Sequence, residues 1–270
     1  MYVFSRLVFI TGGNTGIGFE TVKALIQSTK EQYHIFVGGR TQAKALAAMD
    51  QLKGMLAPSS STAEAIQIDV TDDESIEKAF NYVKDRFGWL DILINNAGAL
   101  FDTTFSKDAS NFRAVFNKAY DVNVAGAQVV TGLFASLLVR SPRARLIFLS
   151  SSNASLGGAF EDCDSARTGE RQDGWPKDGL ITHQGYRCSK AAVNMCMLTW
   201  YQVLKDDGVK TFAVNPGLSA THLGGSTPRK MKKLGAVDAA RAGDLVRSVV
   251  EGERDAHVGR VVTWDGAQDW

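Results

Sequence analysis

The chain has 270 residues, a 44% hydrophobic share and a formal net charge of +1, which predict a compact globular protein and give no basic excess of the kind that binds nucleic acid. Its three cysteines include no Cys-x-x-Cys pair and accompany no histidine cluster, which argues against a disulfide framework and against a metal site. The apolar run Leu7–Ile10 is too short to span a membrane and leads into a glycine-rich turn, so it predicts a first strand and not a signal peptide. We therefore expect a cytoplasmic protein with no nucleic-acid or membrane partner.

The turn after the first strand predicts a dinucleotide site. Leu7–Thr11 shows no polar alternation, which is typical of a strand covered on both faces, and Gly12–Gly18 connects it to an amphipathic helix. In a strand, turn and helix of this kind, the glycines bring the backbone close to a diphosphate and the helix N-terminus points at it.

The end of the second predicted strand, His34–Gly38, bears on the choice of cofactor. Dinucleotide-binding folds place an acidic residue near this point to hold the ribose 2′-hydroxyl of NAD. Gly39 stands there in this chain, and Arg40 beside it offers a guanidinium to a 2′-phosphate. The pattern favours NADP(H) over NAD(H); an arginine that is only solvated is the alternative interpretation.

Two further units continue the alternation of strands and helices. Ala65–Ile68 predicts a third strand, and a helix follows with Thr71 and Glu74 as a capping box. Asp91–Ile94 predicts a fourth strand, which runs into Asn95-Asn96-Ala97-Gly98. Such alternation implies a parallel sheet with right-handed crossovers.

Polar residues follow in two places where a ligand could lie. A long helix predicted for Asn111–Val139 carries Asn123 on its apolar face, where a buried amide often only bonds a carbonyl or a water. The fifth predicted strand, Arg145–Leu149, ends in Ser150-Ser151-Ser152, at the sheet edge where open α/β sheets bind ligands. Ordinary turn chemistry is the alternative for these serines.

The helix that begins near Tyr186 carries a candidate acid–base pair. Tyr186 and Lys190 are four residues apart, so they lie on one helix face. A cation beside a phenol lowers the phenol pKa towards the range useful for catalysis, whereas the same pair on a solvated face has no such role. The segment before it, Leu156–Gln184, lacks clear periodicity and predicts a lid or a solvated insertion.

The remaining chain completes a single unit, in which we find no internal repeat or domain boundary. We predict one domain over residues 1–270, with an insertion at about 156–184 and a substrate loop at about 218–235. Its last elements are a sixth strand at Lys210–Asn215, the turn Pro216-Gly217, a helix at Val237–Glu251 and a final strand and turn at Gly259–Gly266.

Together these motifs resemble the short-chain dehydrogenase/reductase family over Leu7–Gly266. Thr11–Gly18 is similar to the family's Thr-Gly-x-x-x-Gly-x-Gly turn, Asn95–Gly98 to its Asn-Asn-Ala-Gly, and Tyr186 with Lys190 to its Tyr-x-x-x-Lys. The resemblance implies an α/β single-domain Rossmann fold, a doubly wound parallel sheet of about seven strands with helices on both faces. Ser151, Asn123 and Pro216-Gly217 match the family's serine, helix asparagine and Pro-Gly turn.

The resemblance also implies a role for each catalytic residue. Tyr186 would protonate the carbonyl oxygen as hydride arrives, or act as the base in the reverse direction. Ser151 would hold the substrate oxygen, with Ser152 as the alternative serine. Lys190 would lower the tyrosine pKa and bind the nicotinamide ribose, and Asn123 would hold a water that links Lys190 to solvent.

A cofactor site is implied in the same way. The glycines would cradle the diphosphate, Asp69 and Val70 would meet the adenine, and Asn95 would lie along the adenosine ribose. Ser219 and Thr221 would contact the nicotinamide end. With Tyr186 and Lys190, the full set is Gly12, Asn14, Thr15, Gly16, Ile17, Gly18, Arg40, Asp69, Val70, Asn95, Ala97, Gly98, Pro216, Gly217, Ser219 and Thr221.

Two features resemble the carbonyl reductase branch, whose members use NADPH and are often monomers because an insertion covers a dimerisation surface. Tyr186 lies 35 residues after Ser151, with Gly174-Trp175-Pro176 between them, and the chain closes on Trp264 and Gln268-Asp269-Trp270. Thr15 replaces the basic residue of some NADPH-using relatives, so the cofactor prediction depends on Arg40.

We expect a monomeric or homodimeric NADPH-dependent oxidoreductase that reduces a hydrophobic ketone or aldehyde. An NADP-dependent alcohol dehydrogenase and a non-catalytic dinucleotide-sensing regulator are the alternatives.

Overall fold

The structure, a computed structural model, describes residues 5–56, 60–104, 110–165 and 183–270. Short runs of buried β-branched, aromatic and leucine residues form most strands of its central sheet. The strands are β1 Arg6–Ile10, β2 Tyr33–Gly39, β3 Thr62–Gln67, β4 Ile92–Asn95, β5 Arg145–Leu149, β6 Lys210–Val214, β7 Val261–Thr263 and β8 Gly266–Gln268.

All eight strands belong to one sheet with the order β3-β2-β1-β4-β5-β6-β7-β8. The pairs from β3 to β7 are parallel, and β8 pairs antiparallel with β7. The strand order reverses between β1 and β4, and open sheets of this type bind ligands in the crevice at such a point. The carboxyl ends of these two strands, at Ile10 and Asn95, therefore mark the candidate site.

Helices cover both faces of the sheet. Alternate residues of β1 belong to different hydrophobic clusters, with Phe9 packed towards Phe134 on one face and Ile10 grouped with Leu245 on the other. The helices are α1 Gly16–Ile26, α2 Gln42–Leu56, α3 Asp73–Arg86, α4 Phe112–Tyr120, α5 Gly126–Leu138, α6 Leu156–Ser165, α7 Gln184–Leu204, α8 Pro228–Lys233 and α9 Ala239–Val250.

The predicted fold class is confirmed, and several element boundaries are corrected. The sheet has eight strands where about seven were expected, because Gly266–Gln268 forms an edge strand of three residues, too short to show a periodic pattern. Asp72 caps α3 in place of Thr71, since its carboxylate accepts from the amides of Glu74 and Ser75 at 3.1 and 3.3 Å. The hydroxyl of Thr71 instead donates to Asp69 at 2.8 Å.

The predicted long helix contains a wider turn. A π-helical segment, Asp121–Ala125, joins α4 to α5 and places Asn123 inside the protein. The whole of Phe112–Leu138 has the length and composition of a membrane span, but it packs against α3, α7 and the strands β4 and β5, as a core helix does.

Two predicted loops contain helices. The predicted insertion at about 156–184 begins with α6, and the predicted substrate loop contains α8. Residues 166–182, including Trp175-Pro176, lie outside the described residues. The expectation that the insertion covers a dimerisation surface therefore stays a prediction.

Candidate active site

The first turns of α7 bring Tyr186 and Lys190 to the carboxyl end of β5. Both side chains are buried, with exposed fractions of 7% and 4%, and the ammonium nitrogen lies 5.7 Å from the centre of the phenol ring. Lys190 Nζ donates to the carbonyl of Leu149 at 2.7 Å, which ties the helix to the last residue of the strand. Burial lowers the pKa of Lys190 from 10.5 to about 8.

The phenol of Tyr186 is held in its protonated form. Burial raises the pKa of Tyr186 from 10.0 to about 12, and the hydrogen bond with Ser151 opposes this rise only in part. The groups that set this pKa in the structure are the burial of the phenol and Ser151, and the expected lowering by Lys190 stays a prediction. A proton donor at neutral pH results.

The three consecutive serines at the end of β5 have different surroundings. Ser151 bonds to the phenol of Tyr186, and its Oγ also accepts from the amide of Asn153 at 3.2 Å. Ser150 is buried and donates to Asn194 Oδ1 at 2.5 Å, which braces the strand against α7. Ser152 is exposed. Ser151 is thus the serine of the three that meets the phenol.

Asn123 connects the π-helical segment to two other parts of the site. Its Oδ1 accepts from the amide of Ala99 at 2.8 Å, and its Nδ2 donates to the Ala99 carbonyl and to Ser189 Oγ, both at 2.9 Å. These bonds use both amide hydrogens, and one lone pair of Oδ1 is left for a water. The water link to Lys190 stays a prediction.

The glycine turn has the shape that a diphosphate requires. Gly12 and Gly16 have φ angles of +63° and +57°, which side chains rarely adopt. A Cβ on Gly18 would lie 2.4 Å from the Gly12 carbonyl oxygen. Thr15, at the N-cap of α1, makes no side-chain cap bond among the described residues, so it does not occupy the first amides of the helix. Asn14 and Ile17 complete the turn and are half-buried.

The Asn-Asn-Ala-Gly segment is clamped to this turn. Asn96 donates to the carbonyls of Thr11 and Gly12 at 2.8 and 3.0 Å, and Thr11 Oγ1 accepts from the amide of Ala97 at 3.0 Å. Asn95 instead donates to Thr131 Oγ1 at 2.8 Å and is buried. Its side chain is turned to α5 and its backbone belongs to the ladder between β4 and β5, so the expected ribose contact stays a prediction.

Gly98 brings this segment to the catalytic lysine. A Cβ at Gly98 would lie 3.3 Å from Asn123 Oδ1 and 3.4 Å from Lys190 Nζ. Because such a contact is tight, a larger residue at this position would displace one of these groups. The segment therefore joins the predicted cofactor site to the predicted catalytic residues.

At the end of β2, Arg40 offers an exposed guanidinium, and position 39 has little space for an acidic side chain. Arg40 is exposed, and within the described part of the chain its guanidinium has no hydrogen-bond or ion-pair partner. A Cβ at Gly39 would lie 3.1 Å from Ala45 Cβ and 3.2 Å from its amide nitrogen, so a carboxylate side chain would press on α2. The donor set fits a 2′-phosphate.

The remaining predicted contacts lie at neighbouring strand ends. Asp69 is half-buried and its carboxylate accepts from the amide of Thr71 at 3.1 Å, while Val70 packs against α5. After the buried Pro216, Gly217 donates its amide to Asn215 Oδ1 at 3.0 Å with a φ of +73°.

Thr221 is brought to the glycine turn, since its Cγ2 lies 3.5 Å from a Cβ placed on Gly16. Ser219 is buried and pairs with Val237 in an isolated bridge, and its hydroxyl donates to Gly217 at 3.3 Å. The two predicted nicotinamide contacts therefore differ. Thr221 lies against the glycine turn at Gly16, whereas the contacts of Ser219 are with Gly217 and Val237 of its own loop.

Three polar residues of the site were not predicted. Ser189 and Asn194 lie on the buried face of α7, and their polarity on that face is a signal that the sequence contains. Asp102 accepts from the amides of Gly185 and Tyr186 at 2.7 and 3.0 Å. No local pattern reveals Asp102, because Gly185 is 83 residues away along the chain.

Comparison with known proteins shows what this chain is similar to. Residues 6–165 match the family model described as short chain dehydrogenase. The chain is 42% identical over 264 residues to the short-chain dehydrogenase/reductase tropE of Talaromyces stipitatus, covering 97% of this chain and 96% of that protein. It is also 42% identical over 256 residues to the short-chain dehydrogenase/reductase eupG of a Phoma species, covering 92% and 91%.

The fold is similar to that of an NADPH-bound carbonyl reductase from chicken fatty liver. The TM-score is 0.77 at 24% identity, and the match covers 98% of this chain and 99% of the other.

Proposed function

Because this chain belongs to the short-chain dehydrogenase/reductase family of oxidoreductases, we propose that it is an NADP(H)-dependent enzyme that reduces a hydrophobic ketone or aldehyde to the alcohol. The observation that supports this proposal most directly is the buried, protonated phenol of Tyr186 in contact with Ser151 at the carboxyl end of β5. When bound, the nicotinamide would supply the hydride for this reduction.

Residues of the chain would supply the proton and bind the carbonyl oxygen of the substrate. Tyr186 donates its phenol proton to the carbonyl oxygen of the substrate, and Ser151 holds that oxygen by a hydrogen bond. Lys190, fixed by the Leu149 carbonyl, places a positive charge beside the phenolate that proton transfer leaves behind. Asn123 holds the loop that contains Ala99 against α7.

The protonated phenol of Tyr186, which burial favours by raising its pKa to about 12, is the form that carbonyl reduction requires. Alcohol oxidation, the alternative reaction of the same residues, requires the phenolate as base, and the positive charges of Lys190 and of an oxidised nicotinamide would favour that form. A regulator without catalysis would need neither the phenol nor the buried ammonium of Lys190, whose burial is unfavourable.

Exposed apolar side chains on two segments that adjoin site residues in the sequence support a hydrophobic substrate. Leu156 and Phe160 lie one turn apart on α6, a helix that begins shortly after Ser151, and their exposed fractions are 70% and 72%. Leu218 and Leu223, on either side of Thr221 in the sequence, are also exposed. These side chains would line the entrance for an apolar ligand.

We expect NADPH consumption with a panel of ketones, aldehydes and quinones to depend on the phenol. Tyr186→Phe should lower kcat by about 10²- to 10⁴-fold, since it removes the proton donor. The matched control is Tyr82→Phe, on α3, where the phenol donates to Glu64 at 2.9 Å away from the catalytic pair. Unchanged turnover in Tyr186→Phe, or no turnover of any carbonyl by the wild type, would contradict the proposed reaction.

The preference for NADP(H) rests on Arg40 and on the lack of space at Gly39. The chicken carbonyl reductase is described as NADPH-bound, which agrees with this preference. Arg40→Ala should weaken NADPH binding by about 10- to 100-fold and leave NADH binding unchanged, because only NADPH has the 2′-phosphate. Arg260→Ala, an exposed arginine just before β7 at the opposite sheet edge, is the control. Tighter binding of NADH than NADPH by the wild type would refute the preference.

A further inference from the structure

We propose that Asp102 is a positioning residue of this enzyme, which fixes the first turn of α7 and thereby places the phenol of Tyr186 at the substrate. The inference rests on the proposed role of Tyr186 as the proton donor. It concerns a residue that precedes α7 by more than eighty positions and carries no motif.

The carboxylate of Asp102 is fully engaged with α7. Its Oδ1 accepts from the amide of Gly185 at 2.7 Å, and its Oδ2 accepts from the amide of Tyr186 at 3.0 Å. The residue has an exposed fraction of 7%. Bonds from amides to a buried carboxylate are stronger than neutral ones, and a negative charge at a helix N-terminus is further favoured by the helix dipole.

The helix has no cap of its own at this end. His183, at the N-cap of α7, makes no side-chain cap bond among the residues described, and its φ of 62° is left-handed. Capping residues usually have extended backbone and accept from the second or third amide of the helix. Asp102, which lies in a distant part of the sequence, accepts from the first amides of α7 in place of an N-cap side chain. The position of the first turn of α7 therefore depends on the position of the segment that contains Asp102.

A second connection fixes the other backbone group of Tyr186. Ser189 Oγ donates to the carbonyl of Tyr186 at 2.8 Å and accepts from Asn123, which also holds both backbone groups of Ala99. Ala99 and Asp102 belong to one short segment. The amide and the carbonyl of Tyr186 are therefore both anchored to residues 99–102, directly by Asp102 and through Ser189 and Asn123.

Asp102 acts on the position of the phenol and not on its charge. The groups that shift the pKa of Tyr186 are its burial and Ser151, and Asp102 is not among them. Loss of the anchor would let the first turn of α7 shift relative to Ser151. A displacement of about 1 Å can reduce a rate about 100-fold.

The test compares Asp102→Ala and Asp102→Asn with wild type. We expect Asp102→Ala to lower kcat by about 10- to 100-fold while NADPH binding, followed by its fluorescence, changes by less than about twofold. The glycine turn and Arg40 are untouched, and Lys190 stays bonded to the Leu149 carbonyl. The pH dependence of kcat should keep its midpoint. Asp102→Asn, which keeps one acceptor oxygen and folds without a large change in shape, should recover part of the rate.

Asp72→Ala is the matched control. Asp72 caps α3 through two amides in the same manner, and α3 carries no residue of the site. Asp72→Ala should lower the urea midpoint without lowering kcat.

Three outcomes decide between the inference and the proposed function. If both Asp102 variants keep wild-type kcat while Tyr186→Phe is inactive, the inference is wrong and the proposed function stands. An active Tyr186→Phe would instead remove the proposed function. A change in kcat in Asp72→Ala equal to that in Asp102→Ala would also overturn the positioning role.

Discussion

At the scale of single residues, burial decides the chemistry of the catalytic pair. Tyr186 and Lys190 are one helical turn apart, and the spacing predicts that they meet. Burial then moves their pKa values in opposite directions, to about 12 for the phenol and about 8 for the ammonium. Each shift favours the neutral form of the group, and the phenol is consequently a proton donor and not a ready base.

The buried ammonium of Lys190 makes a prediction about stability. Its pKa is 10.5 in an unfolded chain and about 8 in the native protein, so between these values the unfolded chain binds a proton that the native protein has lost. Native stability should therefore rise with pH through this range. From pH 7 to pH 9.5, the free energy of unfolding of wild type should increase by about 2 kcal/mol relative to Lys190→Met.

Urea denaturation of both proteins at the two pH values measures this difference. Because Lys190→Met has no ionisable group at position 190, the pH dependence of its stability comes from all the other ionisable groups. Subtracting it from that of wild type leaves the contribution of Lys190. A difference between the two proteins that does not change with pH would show that the ammonium of Lys190 is not destabilised by burial.

At the scale of elements, close backbone contacts determine how the helices approach the sheet. Gly126 begins α5 directly after the π-helical segment, and a Cβ there would lie 2.5 Å from the carbonyl oxygen of Val70. The glycine therefore allows α5 to pack on the segment that is predicted to meet the adenine. Sequence periodicity predicts this helix but does not reveal the contact.

Two glycines of the same helix provide a matched comparison. Gly126→Ala should lower the free energy of unfolding by about 1–3 kcal/mol, because the new methyl group overlaps Val70. Gly132→Ala should raise it by about 0.5–1 kcal/mol, since within the described residues nothing lies within 4 Å of a Cβ there and alanine is the better helix former. Urea denaturation monitored by circular dichroism measures both. Equal effects of the two substitutions would contradict the proposed contact.

At the scale of the whole molecule, one sheet brings the site together. Residues from the ends of β1, β4 and β5 meet side chains of α7 at the edge where the strand order reverses. The two hydrophobic clusters lie on opposite faces of this same sheet. Unfolding of one part would therefore expose the core of the other, which is the reason to expect one cooperative domain.

Thermal unfolding tests this expectation together with cofactor binding. We expect one transition, with the same midpoint by tryptophan fluorescence and by circular dichroism. NADPH at 100 times its Kd should stabilise the protein by about 2.7 kcal/mol and raise Tm by about 5–10 °C. NADH at the same concentration should raise Tm less. Two separated transitions would show that the chain contains more than one domain.

Local spacing allowed much of this protein to be predicted from its sequence. The glycine turn, the alternation of strands and helices and the Tyr186–Lys190 pair each depend on residues close together in the chain, so the fold class and the acid–base pair follow from patterns a few residues long. Gly39 with Arg40 predicts a preference for NADP(H) in the same way, and that preference stays a prediction. Short elements such as β8 and α8 escape this approach because three to six residues hold too little periodicity.

Only the tertiary structure decided the features that depend on distant contacts and on burial. It selected Ser151 among three serines, because the surroundings of each depend on where α7 packs. It placed Asp102 on the amides of Gly185 and Tyr186, across 83 and 84 residues. It also raised the pKa of Tyr186, because desolvation is a property of the folded core and not of the five residues Tyr186–Lys190.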